Sequence, residues 1–327
     1  MRYIMYGAGA IGATIGARLF EAGHEVVLIA RGEHARAMER DGLRFGTPAG
    51  EVTLRIPVAE HPARIAWRDD DVVFLTMKSQ DTASALHDLA AAAPEHVAVV
   101  CAQNGVENEP QTLRRFANVH AMCIMLPATY LEPGVVFAHG VPQTGILDVG
   151  RYPSGSDEVD AQIARDLEGA HFSSEPRADV MRWKYTKLLM NLGNALEAAC
   201  GRAARASALF ARAKAEAVAC FDAAGIAFAS DEEDAARRAG RMAIHTGGTV
   251  EHRGGSSWQS LVRGTGSIEA DYLNGEIVLL GRLHGVPTPV NAMLQRLANR
   301  MAVERIAPGS LQLADLEAEL LASAPAG

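Results

Sequence analysis

The sequence predicts an α/β chain of two domains, the first built on a parallel sheet and the second all-helical, on three observations. Short β-rich runs alternate with helical patterns from the start to about residue 123. A glycine-spaced turn, GAGAIG at Gly7 to Gly12, stands between the first such run and the first helical pattern. Beyond about Ala178 the sequence turns to long alanine-rich helical stretches. The 327 residues suit two domains of ~100 to 200 residues each. The boundary is expected to give domains 1–176 and 177–327.

In chain order, the strands expected first are Arg2 to Tyr6, Glu25 to Ala30, Val72 to Thr76 and Val97 to Cys101, with crossover helices between them. The runs Val119 to Ile124, Gly134 to His139 and Gly145 to Val149 have hairpin-like spacing with Gly and Pro between them, so antiparallel strands should join the sheet there. The second domain should hold helices over Lys184 to Cys200, Ala206 to Ala224, Glu232 to His245 and Ile268 to His284, and a short one around Leu311 to Leu321. Ser230 with Glu233 three residues on matches a capping box, and Thr288 before Pro289 is a good cap before a favoured first-turn residue. Gly247, Gly248, Gly254 and Gly255 mark a connection that ends in Ser256 and Ser257, where backbone can approach a ligand or simply form a loop.

Composition narrows the function classes. With 31 basic and 39 acidic residues the formal charge is −8, which argues against a surface that tracks nucleic acid and favours a small-molecule partner. Hydrophobic residues at 48% supply a sizeable core. The cysteines Cys101, Cys123, Cys200 and Cys220 lack CxxC spacing, so they read as reduced core thiols of a cytoplasmic protein. No secretory signal is expected, and no run approaches the ~18 apolar residues of a spanning helix, so no membrane partner is expected either. The histidines form no HExxH or comparable pattern; His245 and His252 lie seven apart across the glycine-rich connection, and no metal is assigned. The acidic runs Asp69 to Asp71 and Asp231 to Asp234 fit a solvated strand entry and a helix N-terminus.

The chemistry begins at the glycine turn. In a dinucleotide-binding fingerprint the first glycine, Gly7, permits the tight turn; the second, Gly9, lets backbone approach the pyrophosphate; the third, Gly12, lets helix and strand pack closely. Ala10 and Ile11 then open the helix whose free N–H groups meet the phosphate. After the second strand an NAD enzyme carries an acid that binds the ribose hydroxyls, but here Arg31 stands at that place. A carboxylate would repel a 2′-phosphate and a guanidinium binds it, so the cofactor expected is NADP. Lys78 and Asn104 follow later strands at the carboxyl edge of the sheet, where ligands bind, although each also fits an ordinary exposed loop.

In the second domain, Lys187, Asn191 and Asn194 are spaced four and three residues apart, so one helical face should carry all three, on a helix otherwise apolar around its circumference. A buried lysine usually has a functional reason. Glu269, in IEADYLNG, sits at a predicted helix start, where the helix dipole alone favours a carboxylate.

Taken together, GAGAIG, Arg31, TMKS at Thr76 to Ser79, QNG at Gln103 to Gly105, KLLMN at Lys187 to Asn191, Ser257, IEADYLNG and GVPTPVN at Gly285 to Asn291 resemble the ketopantoate reductase family, also called 2-dehydropantoate 2-reductase. The resemblance spans nearly the whole chain. It implies a Rossmann-like NADP-binding domain, a helical substrate and catalytic domain, and NADPH-dependent reduction of a 2-keto acid to a 2-hydroxy acid, ketopantoate to pantoate, in pantothenate biosynthesis. By the same resemblance Lys187 is the catalytic lysine and Glu269 the carboxylate that holds the substrate hydroxyl and helps set the lysine. Asn191 and Ser257 match positions that bind substrate, and Lys78 and Asn104 lie beside the cofactor; a homodimer is compatible with it. Asn194 joins the expected substrate-binding set by its spacing on the face of Lys187 and Asn191. Two segments depart from the family: LGNALEAACG follows Asn191 in place of an Asn-Pro-Thr run, and IMLPAT at Ile124 to Thr129 replaces glycine-rich sequence. These flanks leave room for a different 2-keto acid on the same scaffold. A noncatalytic NADP sensor is the reading from another class, against which the retained Lys187 and Glu269 argue.

Overall fold

A computed structural model describes residues 1–245 and 254–322. The glycines Gly247 and Gly248 and His252 lie outside the described residues. Two compact units emerge, Met1–Lys184 with Ala229–His252, and Tyr185–Phe228 with Arg253–Gly327.

The first unit opens with β1 (Arg2–Tyr6), α1 (Ala10–Glu21), β2 (Glu25–Ile29), α2 (Gly32–Asp41), β3 (Leu43–Thr47), β4 (Gly50–Leu54) and β5 (Val58–Ala59). It continues through β6 (Asp71–Leu75), α3 (Thr82–Ala90), β7 (Ala98–Cys101), α4 (Asn108–Leu113), β8 (Val119–Met125), β9 (Ala128–Glu132), β10 (Val135–Ala138), β11 (Gly140–Pro142), β12 (Ile146–Arg151) and α5 (Glu158–Gly169). The main sheet has seven strands in the order β12-β8-β7-β6-β1-β2-β5. Its strands run parallel except β12, which pairs antiparallel with β8. Antiparallel pairing thus enters in the stretch where hairpin-like spacing predicted it. A second sheet, β4-β3-β10-β9, packs β10 parallel to β3 and antiparallel to β9.

Side-chain alternation divides the core of this unit between the two faces of the sheet. Tyr3, Met5, Leu28, Phe74 and Val100 join one buried cluster, and Ile4, Ile29, Val73, Leu75 and Val99 join the other. Strands buried on both faces explain why the sequence reads as continuous apolar runs there.

Further along come α6 (Val180–Asn191), α7 (Gly193–Cys200), α8 (Ala208–Ala224), α9 (Asp231–Arg238), β13 (Met242–Ile244), α10 (Ser256–Arg263), α11 (Asn274–His284), α12 (Pro289–Val303) and α13 (Leu313–Ala322). The core of the second unit gathers Leu196, Leu209, Val290, Leu294, Met301 and Leu316.

Several expectations are corrected. The predicted helix over Lys184 to Cys200 is interrupted at Leu192. The neighbouring carbonyls are engaged by side chains: Arg205 Nη1 donates to Met190 O at 2.9 Å and Asn274 Nδ2 to Leu192 O at 3.1 Å. Side chains inserted into a helical ladder interrupt it in this way. The predicted helix Glu232 to His245 stops at Arg238, because Gly240 takes φ +71° and residues 242–244 pair antiparallel with β11. The helix predicted from Ile268 opens as a 3-10 turn, Glu269–Tyr272, before α11.

The Ser230/Glu233 capping box is present in full. Pro289 opens α12, but the Thr288 side chain makes no capping bond.

The first unit also differs in extent from the expected 1–176, since it runs to Lys184 and takes back the segment after Phe228. A buried guanidinium accounts for the return: Arg237 of α9 forms paired bonds to Asp148 of β12, at 2.9 and 2.6 Å. Among the described residues no helix is long and apolar enough to cross a membrane.

Candidate functional site

The GAGAIG turn lies where the strand order reverses, with β1 between β2 and β6, the place where open parallel sheets bind ligands. Gly7 has φ +106°, and a Cβ there would stand 2.6 Å from Met77 N. A Cβ on Gly12 would run into Thr76 Oγ1 and the Gly7 carbonyl. Gly9 differs: the nearest atom to its Cβ would be Tyr130 Cδ1 at 4.0 Å. Two glycines are therefore required by the protein's own packing, and the third leaves open space over the turn. Gly9 is also the N-cap of α1 and supplies no side-chain cap, so the amides at Ala10 and Ile11 begin the helix without one. This cradle fits a dinucleotide pyrophosphate.

Arg31 is exposed two residues beyond β2, as the N-cap of α2. A guanidinium beside a helix N-terminus suits a phosphate on two counts, charge and amide donors. Three residues on, His34 is a contributor that sequence reasoning missed. Its Nδ1 accepts from Gly134 N at 2.8 Å, so Nε2 carries the proton and donates to Ala8 O at 2.6 Å, inside the glycine turn. Nothing in the sequence distinguishes this histidine from a surface one, because both partners are backbone.

Lys78 and Asn104, both half-buried, lie on two loops that are tied together at the carboxyl edge of the sheet. Gln103 Nε2 donates to Met77 O at 2.9 Å and Thr82 Oγ1 at 2.8 Å; Asn108 Nδ2 donates to Asn104 O at 3.0 Å and Ser79 Oγ at 3.1 Å. Lys184 Nζ reaches the same loop, donating to Gln103 O at 2.9 Å and pairing with Glu109. Both ions are buried; burial pushes the Glu109 carboxyl up from its usual range, against the opposing pull of Lys184. The buried lysine that the apolar pattern of α6 led us to expect is therefore Lys184, while Lys187 is half-buried.

In the second unit, Lys187 and Asn191 lie one turn apart on α6, with Asn191 buried. Asn194 is not on that helix: the interruption at Leu192 places it in α7. There it meets the start of α10, since a Cβ on Gly255 would be 3.9 Å from Asn194 Oδ1, and the buried Ser257 follows two residues later. The structure thus brings Asn194 close to the Ser257 segment. Glu269, also buried, opens the 3-10 turn, which packs on α11 and α12.

One three-dimensional cluster has no sequence signature. His120, Asp157 and Asp160 bring ligand atoms within 4.8 Å of one another. Structural roles account for it: Asp157 and Asp160 form the capping box of α5, His120 Nδ1 lies 2.7 Å from Asp160, and Arg151 bonds Asp157.

Comparison with known proteins covers both halves of the chain. The family model described as ketopantoate reductase PanE/ApbA matches residues 3–154, and its C-terminal counterpart matches residues 179–302. A 2-dehydropantoate 2-reductase of Archaeoglobus fulgidus is 30% identical over 302 residues, 90% of this chain and 96% of that protein. One from Pyrococcus horikoshii is 30% identical over 191 residues, and the match spans 58% of this chain and only 61% of that relative. The crystal structure of a PanE/ApbA family ketopantoate reductase from Ralstonia eutropha JMP134 has a TM-score of 0.76 at 29% identity, covering 93% of this chain and 99% of that one. With a dinucleotide cradle in the first unit and matches to both family models, the chain belongs to the ketopantoate reductase PanE/ApbA family.

Proposed function

We propose that this protein is an NADPH-dependent reductase that converts ketopantoate to pantoate. The observation that carries the reading is the family match over both halves, residues 3–154 and 179–302. Geometry within each unit supports it. The glycine turn, with Gly7, Gly9, Ala10, Ile11 and Gly12, cradles the pyrophosphate; Arg31 takes the 2′-phosphate; Lys78 and Asn104 line the loops beside the cofactor.

When bound, NADPH supplies the hydride. Lys187 donates a proton to the ketone oxygen, and its charge stabilises the oxygen as negative charge develops there. Ketone plus hydride plus proton gives the hydroxyl of the product. Asn191, Asn194 and Ser257 hold the substrate, and Glu269 accepts from its hydroxyl and orients the lysine.

Lys187→Ala tests these roles. Turnover with ketopantoate should fall about 10²- to 10⁴-fold, the usual worth of a positioned proton donor. NADPH affinity, followed by nicotinamide fluorescence, should be nearly preserved. Unchanged turnover would remove Lys187 from the chemistry, whereas a wild type that binds NADPH but oxidises it with no 2-keto acid would favour a sensor.

A further inference from the structure

The segment after Asn191 that departs from the family's usual sequence contains Gly193, Asn194 and Glu197. Asn194 and Glu197 lie three residues apart on α7, on neighbouring positions of one face. Arg205, in the 3-10 turn 202–206, reaches back to both. Its Nε pairs with Glu197 Oε2, its Nη2 donates to Asn194 Oδ1 at 2.5 Å, and its Nη1 donates to Met190 O at 2.9 Å. The other Glu197 oxygen accepts from Gly255 N at 3.0 Å, the N-cap residue of α10.

We infer that Arg205 and Glu197 are positioning residues for substrate, which hold Asn194 and the Ser257 segment as a preformed set of hydrogen-bond donors for the oxygens of a 2-keto acid. This rests on the proposed function, in which Asn194 and Ser257 bind substrate.

The chemistry fixes the direction of each group. A guanidinium only donates, so the Asn194 oxygen must face it, and the Asn194 NH2 is left to donate elsewhere. Glu197 neutralises Arg205, so the recognition is by oriented dipoles rather than by a second free charge. Glu197 also accepts from the amide of Gly255, the N-cap of α10, which sets the entry of the chain two residues before Ser257. Arg205 further holds the Met190 carbonyl, next to Asn191.

Gly193 is part of the device. A Cβ there would stand 2.9 Å from Arg205 Nη1 and 3.0 Å from Phe210 Cε2, so an alanine would push the guanidinium or the ring from its present place. Gly193, Asn194, Glu197 and Arg205 therefore form one packed and hydrogen-bonded set, next to Met190 and Asn191.

The test is steady-state kinetics of the full chain with NADPH and ketopantoate for Arg205→Met, Arg205→Lys, Gly193→Ala, Asn194→Ala and the double variant Arg205→Met/Asn194→Ala. In Arg205→Met the KM for ketopantoate should rise about tenfold, the scale of one positioned hydrogen bond, while kcat changes by less than about threefold. NADPH affinity should hold. Arg205→Lys should restore part of the KM, and the double variant should lose less than the sum of the two single losses. Gly193→Ala keeps every polar group and should still raise KM, so it carries the test if Arg205→Met fails to fold. An unmoved KM in Arg205→Met and Gly193→Ala, or losses in the double variant that simply add, would overturn the inference while leaving the proposed function standing. An Asn194→Ala enzyme with unchanged KM also overturns it, since Asn194 is the substrate-binding group that Arg205 contacts directly. A wild type that neither turns over nor binds ketopantoate sinks the proposed function, and the inference with it.

Discussion

His34 shows how a single residue shapes the cofactor cradle from outside the motif. Its ring joins the Ala8 carbonyl of the glycine turn to the Gly134 amide between β9 and β10, and it packs on Tyr130 at a centroid distance of 4.4 Å. His34→Ala leaves a buried carbonyl and a buried amide without this partner, which costs about 1–3 kcal/mol for each group left unpaired. We expect a lower melting temperature and weaker NADPH binding, measured by calorimetry, and a His34→Gln variant that retains one bond should fall between. Wild-type NADPH affinity in His34→Ala would show that the turn holds its shape alone. The glycine turn was legible in the sequence because its chemistry is local: a tight turn and a close approach in fixed order along the chain. His34 was not, because its role comes from two backbone groups 26 and 100 residues away.

At the scale of elements, the parallel strands were legible from their apolar runs, and the antiparallel β12 from the Gly and Pro between its neighbours. Helix boundaries were less so. The apolar pattern over Lys184 to Cys200 is continuous, and the interruption at Leu192 arises from Arg205 and Asn274, donors from distant parts of the chain. Apolar periodicity reports which face is buried and is silent about side chains that take the carbonyls. Asn194 was expected on the same helix as Lys187 and Asn191 for the same reason. The pair Lys184–Glu109 was missed because a buried ion pair needs both partners, and 75 residues separate them.

At the scale of the molecule, the division of the chain does not follow a single cut. The segment carrying α9 and β13 belongs to the first unit although it follows α7 and α8 of the second. The Arg237–Asp148 pair fastens it, with Arg177 on the same carboxylate and Arg237 Nη1 bonded to Ser173 Oγ at 2.9 Å. Arg237→Met leaves Asp148 buried with one cation fewer, and breaking a buried pair in this way costs about 3–5 kcal/mol. Unfolding by denaturant should show that loss, and protease should cut near α9 at lower denaturant concentration than in the wild type. Unchanged stability would mean that β11–β13 pairing alone holds the segment.

In the proposed reductase NADPH is preferred because Arg31 stands where an acid would select NAD, and the cofactor preference should follow that side chain. Nicotinamide absorbance is followed with ketopantoate and a panel of other 2-keto acids, using NADPH and NADH in turn, for the wild type and Arg31→Ala. The account predicts the highest kcat/KM with NADPH and ketopantoate. Arg31→Ala should lose about 10- to 100-fold with NADPH, the worth of a charge-assisted pair, and almost nothing with NADH. Equal rates with the two cofactors in the wild type would contradict the role of Arg31, and no oxidation of either cofactor by any 2-keto acid would contradict the account as a whole.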